Sequence, residues 1–172
     1  MRIPIIFSTI TGNAFRLADA IKEEVPNHVG PYNITYINDE VIQRFDSFVL
    51  VYWCNHGTAD DDTIELISKM KNKKILILGT LGASMESDHA RKVYQNVCNL
   101  VNENNVLLGN FLCRGAIDLN RTRQRLSIPE GEKGHLSLER FERQKESLGY
   151  PNEMDYQNAR AYVKDIFKDY HD

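Results

Sequence analysis

The sequence predicts an α/β fold, an open doubly wound sheet of five parallel strands with helices on both faces. Three observations carry the expectation. Short apolar runs rich in Ile, Val, Leu and Phe alternate with helix-length amphipathic stretches, the order that builds strand–helix–strand units around a parallel sheet. One run, Phe48–Trp53, is apolar at every position, as a strand covered on both faces would be. A polar, glycine-bearing stretch, Ser8–Asn13, lies between the first run and the first amphipathic stretch, where such folds place a ligand loop. The 172 residues suit a single domain over 1–172, and right-handed crossovers leave few other topologies.

Ile3–Phe7 opens the chain as a strand, and Asn13–Val25 follows as a helix whose stripe is Phe15, Leu17, Ala18, Ile21 and Val25. Pro26 ends that helix and Gly30-Pro31 reads as a turn before a second strand, Tyr32–Ile37. Phe48–Trp53 is the third strand, followed by a loop, Cys54–Asp62, and a short helix, Thr63–Lys71. Lys74–Thr80 is the fourth strand, and its loop, Leu81–Asp88, leads into a helix from His89 to about Asn102. Val106–Cys113 is the fifth strand. Residues 120–149 turn toward Gly, Pro, Ser and charge and read as an irregular insertion, long for a connection in a compact domain. Glu153 to about Phe167 closes the chain as a helix, with Tyr156, Ala159, Tyr162, Val163 and Ile166 on its buried stripe.

Composition narrows the function classes. The net charge of −3 argues against a nucleic-acid binder, and no apolar run approaches the roughly 20 residues that cross a bilayer. Cys54, Cys98 and Cys113 are odd in number and lack CxxC spacing, which disfavours a disulfide framework or structural metal and favours a reducing cytoplasm. A monomer is the favoured state. Charge is uneven: residues 114–148 hold 8 Lys/Arg against 6 Asp/Glu, with Arg121, Arg123 and Arg125 alternating.

Ser8, Thr9, Thr11, Gly12, Asn13 and Ala14 have the chemistry of a phosphate cradle. A phosphate monoester needs several convergent donors without bulk, and hydroxyls, backbone N–H groups and a helix N-terminus supply them. Gly12 permits close approach or a positive φ. With no Lys in the loop, the GxxxxGK[ST] triphosphate pattern is missing, as is GxGxxG. The plainer alternative is that Thr11 or Asn13 caps the first helix.

Thr9-x-Thr11-Gly12-Asn13 after a first strand resembles the phosphate loop of flavodoxins, T-x-T-G-N-T, with Ala14 standing where the last Thr offers a hydroxyl. The likeness runs along nearly the whole chain. Tyr52–Asp60 resembles the family's second flavin loop and Leu78–Ala83 its third. Cys113-Arg114-Gly115-Ala116-Ile117-Asp118 and Pro151-Asn152-Glu153 are similar to segments of one branch, which includes a flavodoxin accompanying a bilirubin reductase. The resemblance implies the flavodoxin-like strand order 2-1-3-4-5 and a non-covalent FMN. It also implies an electron carrier whose partner is a reductase.

The resemblance puts the flavin ring between the second and third loops, at Trp53, Cys54, Asn55, His56, Gly57, Thr80, Leu81 and Gly82. Trp53 suits stacking, or else closes the sheet edge as a core residue. Gly57 is the candidate for a peptide that reorients on reduction, and His56 could tune the potential. Cys54 could exchange electrons as a thiol or simply pack. Asp60, Asp61 and Asp62 form an acidic run expected beside the ring, one of them capping the next helix and the run steering a partner. Ser84, Ser87 and Asp88 suit the cap of the helix from His89. The competing function is an FMN-dependent reductase acting directly on a small molecule, with the 120–149 insertion as its lid. A third option is a flavodoxin-like module without cofactor.

Overall fold

The computed structural model describes residues 2–170. Five strands run parallel: β1 (Ile3–Phe7), β2 (His28–Asn33), β3 (Ser47–Asn55), β5 (Lys74–Leu81) and β6 (Val106–Arg114). Their order is β2-β1-β3-β5-β6, with β4 (Thr58–Ala59) folded back antiparallel on the end of β3. Setting the two-residue β4 aside, this is the expected 2-1-3-4-5 order. The helices are α1 (Asn13–Ile21), α2 (Asp39–Arg44), α3 (Asp61–Lys69), α4 (Asp88–Asn102), α5 (Leu119–Arg123), α6 (Leu138–Lys145) and α7 (Glu153–Phe167).

Side chains alternate across the sheet with period two, and β3 divides accordingly. Val49 and Val51 join Leu17, Ile21, Ala159 and Val163 in the core beneath α1 and α7. Phe48, Leu50 and Tyr52 join Leu66, Ile67, Val93 and Val97 in the core beneath α3 and α4. Each fully buried aliphatic side chain contributes about 1.5–3 kcal/mol, so the two cores fix the sheet between its helical layers and hold its carboxyl edge in place.

Several boundaries differ from expectation: α1 ends at Ile21 and gives way to a 3-10 turn over Lys22–Glu24 short of the expected Val25, and α3 runs Asp61–Lys69 in place of Thr63–Lys71. The second strand is His28–Asn33, not Tyr32–Ile37. Gly30-Pro31 lies within it as part of an edge strand whose register slips between Pro4 and Ile6, the kind of position where a residue lacking N–H is tolerated. Asn33 then ends the strand, its side chain accepting from Thr35 N to start a 3-10 turn over Ile34–Tyr36. The Cys54–Asp62 loop is in part a hairpin. Residues 120–149 are partly helical: Asp118 caps α5 and Ser137 caps α6, whose Glu139–Arg143 pair is an i,i+4 bridge. The last helix has its expected limits, fixed by a capping box in which Asn152 and Asp155 each accept the other's backbone N–H.

Tyr52 on β3 stands opposite Gly79 on β5, and a Cβ at Gly79 would lie 2.3 Å from Cζ of the Tyr52 ring. The ring therefore fills the space that any other residue at 79 would need. Gly79→Ala is expected to cost about 1–3 kcal/mol in urea unfolding by overpacking. A loss under about 0.5 kcal/mol, the range of an ordinary surface change, would contradict that seating.

Candidate functional site

The loop after β1 is pinned from below. Ser8 N donates to Val51 O at 2.9 Å, and Ser8 Oγ donates to Asp60 Oδ1 at 2.7 Å. Thr9 Oγ1 accepts from Gly12 N at 2.9 Å and curls the loop. Gly12, at φ +87°, is the residue that caps α1, and no side chain caps that helix. The alternative role for Thr11 or Asn13 as the cap is therefore set aside. Asn13 is spent elsewhere: Nδ2 donates to Ala116 O at 2.9 Å, and Oδ1 accepts from the Arg16 guanidinium at 2.7 Å. An uncapped N-terminus leaves first-turn N–H groups available, with the partial positive charge of the helix behind them.

Arg16 adds a full charge there. Its Nη1 lies 2.9 Å from where a Cβ on Gly12 would sit, so the guanidinium folds back over the loop from one turn inside α1. Sequence reading stopped at the loop's end and missed it. The signal was present, since residues three apart share a helix face and 16 follows 13 by three.

A cleft of about 610 Å3 opens beyond this loop, within the ~300–1,000 Å3 range of small-molecule sites. Thr11 and Asn13, Trp53–His56 and Thr80–Gly82 all line it, so the three loops do converge on one edge. Thr9 and Gly12 shape the loop from outside the lining, and Ser8 lies buried beneath it. Ala14 is buried in the core beneath α1 and α7, so only its backbone can serve a ligand.

Cys54 and Asn55 pair with Ala59 and Thr58, leaving His56 (φ +47°) and Gly57 (φ +84°) as the two residues of a tight turn. Positive φ at both centres is the I′ geometry that suits two-residue hairpins, and glycine is favoured at such a centre. Gly57 lies outside the cleft lining, and its carbonyl accepts from Asn96 Nδ2 on α4 at 2.9 Å. Cys54 does line the cleft, but burial pushes its thiol up to about 11 even though backbone N–H groups of Gly57 and Thr58 pull the other way. Such a thiol stays protonated near neutrality and is a poor nucleophile.

The acidic run is not beside the cleft. Asp60 is 2% exposed, caps α3, and accepts from Ser8 Oγ, Thr63 N and Thr63 Oγ1, while Asp61 and Asp62 ride away on that helix. Asp62 lines a separate groove with Leu66 and Ile34. Ser87 caps α4 as expected, although the helix begins at Asp88.

The fourth wall comes from a segment left out of the sequence-based site. Gly115 N donates to Leu81 O at 2.9 Å, and a Cβ on Gly115 would lie 3.0 Å from Asn13 Nδ2. Ile117 packs so closely on Gly82 that a Cβ there would lie 2.4 Å from Ile117 Cγ1. Arg121 and Arg125 also line the cleft. The Cys-x-Gly-x-Ile-Asp resemblance pointed at this segment, but nothing in its composition said which edge it would meet.

A family model described as Flavodoxin domain matches residues 4–164. The chain belongs to the flavodoxin domain family. It is 25% identical over 172 residues to the flavodoxin-like domain-containing protein BilS of Clostridioides difficile (strain CD3), covering 96% of both proteins. A flavodoxin of Streptococcus pneumonia TIGR4 superposes with a TM-score of 0.60 at 12% identity, covering 99% of this chain and 100% of that one. Oxidised Flavodoxin 2 of Bacillus cereus gives 0.60 at 14%, with the same coverage. Membership makes this an FMN-binding, electron-transferring flavodoxin-domain protein, and the residues fit that group: an uncapped helix N-terminus under a left-handed glycine meets a cleft with a tryptophan on its wall. Among the described residues no helix is long and apolar enough to cross a membrane.

In a Cys98→Ala/Cys113→Ala background, iodoacetamide alkylation of Cys54 is expected to accelerate about tenfold per pH unit from about pH 7 to pH 10, because the thiolate fraction grows until the raised pKa is reached. A plateau below about pH 9 would show an unshifted thiol.

Proposed function

We propose that this chain carries electrons to a partner reductase on FMN held non-covalently in the cleft. The observation that carries the reading is the convergence of three loops on the uncapped start of α1. Thr11, Asn13 and Ala14 present backbone N–H groups, and Thr11 a hydroxyl, to the phosphate, while Thr9 shapes the loop by accepting from Gly12 N, Gly12 lends its left-handed backbone, and Ser8 holds the loop from beneath. Arg16 neutralises one phosphate charge from the side. Trp53 covers one face of the ring, Cys54, Asn55 and His56 form its flank, and Thr80, Leu81 and Gly82 meet its polar edge through backbone groups. FMN, when bound, supplies one- and two-electron redox chemistry; the protein supplies orientation, exclusion of water and electrostatics.

A second reading has one observation in its favour. Residues 115–125 wall the cleft, as a cover over a small-molecule site would, which suits an FMN-dependent reductase acting on its own. The carrier reading is preferred because the described residues around the cleft offer no poised acid or nucleophile: His56 sits in a hairpin turn and Cys54 is held protonated. Steady oxidation of NAD(P)H with a small acceptor and no partner protein would overturn the carrier reading.

Arg16→Ala is expected to weaken FMN binding about tenfold, the loss of one charge-assisted contact, and to leave riboflavin binding unchanged. Gly12→Asp is expected to abolish FMN retention, since the new carboxylate stands at a left-handed position facing the phosphate. Fluorescence titration with both flavins checks the pair; equal loss of FMN and riboflavin in Arg16→Ala would remove the phosphate assignment.

A further inference from the structure

The charge around the cleft has the opposite sign to the one the acidic run led us to expect. Asp118 is the one acidic residue on its wall among the described residues, and its carboxylate is occupied in accepting from Asn120 N and Arg121 N. Against it stand two arginines, Arg121 and Arg125, one helical turn apart on α5 and the 3-10 turn that continues it. Neither has a carboxylate partner among the described residues. Arg123, between them, points elsewhere, with its guanidinium over the Phe141 ring at 5.9 Å.

The segment that carries them is anchored. Arg125 Nε donates to Gly134 O at 2.8 Å and Arg125 O accepts from Leu136 N at 3.2 Å, so the backbone and one edge of the guanidinium are fixed. Ser147, fully buried, accepts from Ile117 N at 2.9 Å and donates to Gln144 O at 2.7 Å, stitching α6 to the root of the segment. That root lies on Gly82, in the loop assigned to the ring, through Ile117. The loop at the other end of the cleft already has its own cation, Arg16.

We propose that Arg121 and Arg125 set the reduction potential of the bound flavin, by placing unpaired positive charge over the ring so that its reduced, anionic form is held more tightly than its oxidised form. The inference rests on the cleft being the flavin site. Uptake of two electrons and one proton by the neutral ring leaves it with one net negative charge, and no other group is consumed. A cation beside that ring favours the charged product, as it favours any ionised form. The arginines are exposed, so the effect is screened by salt. They act on the cofactor's equilibrium and are positioning residues, not catalytic ones.

The test compares wild type, Arg121→Gln/Arg125→Gln and Arg121→Lys/Arg125→Lys. Each is titrated anaerobically with dithionite, and the dissociation constants of oxidised and reduced FMN are measured at low and high salt. The Gln pair is expected to weaken reduced FMN at least tenfold relative to oxidised FMN, which lowers the two-electron potential by about 30 mV or more. The Lys pair should keep the wild-type ratio, and about 0.5 M salt should shrink the difference. An unchanged ratio in the Gln pair overturns the proposal, and so does equal weakening of both states, which would put the arginines on the phosphate. Failure of the underlying reading has a different signature: wild type would not bind oxidised FMN, or Gly12→Asp would bind it as well as wild type.

Discussion

The hydrogen bond from Ser8 to Asp60 joins two loops that lie 52 residues apart in sequence, and the carboxyl edge of the sheet depends on it. Asp60 takes Ser8 Oγ on one side and Thr63 N and Oγ1 on the other, so one buried carboxylate ends β1, caps α3 and closes the hairpin after β3 together. A buried carboxyl group is costly unless donors reach it, and Asp60 has three. Because β1 and β3 are neighbours in the sheet, the tie needs no long-range deformation. It sets where the loop after β1 stands relative to the hairpin after β3, and the Asn13–Ala116 bond sets the third side.

The same arrangement explains the electrostatics. An acidic run can cap a helix or decorate a flavin site, and Asp60 cannot be both buried cap and exposed guide. Once it is committed to α3, its neighbours follow the helix away from the cleft. Arg121 and Arg125 line the cleft, and Arg16 folds over the loop after β1 outside that lining. Positive charge at a site for an anionic cofactor raises affinity and shifts its redox balance, which ties the arginines to the electron-transfer chemistry the family carries out.

Much of the fold was legible because buried strands and amphipathic helices leave strong periodic patterns. β1, α4 and α7 fall where the pattern places them to within a residue or two, and β3 and β5 run only slightly beyond it. The second strand was displaced because Gly30-Pro31 is a turn signal in sequence but a bulged edge strand in three dimensions. The loop after β1 could be read as a cleft loop because Thr9, Thr11, Gly12 and Asn13 are local in sequence. Gly57 stands outside the cleft lining with its carbonyl bonded to Asn96, 39 residues on, a contact that no local pattern reveals. Arg16 was within reach through its i,i+3 spacing to Asn13, whereas Arg121 and Arg125 were not: whether a surface arginine points at a cleft depends on folding partners such as Gly134, not on its neighbours in the chain.

A phosphate seated on the uncapped start of α1 would be reported by the free amides of its first turn. Two-dimensional amide NMR during titration tests that seating most directly. The amide signals of Thr11, Asn13 and Ala14 are expected to shift strongly downfield with FMN and to stay near their free positions with riboflavin, while Gly12 N, already bonded to Thr9 Oγ1, moves less. Shifts of equal size with both flavins, or none at these three amides when FMN is bound, would contradict it.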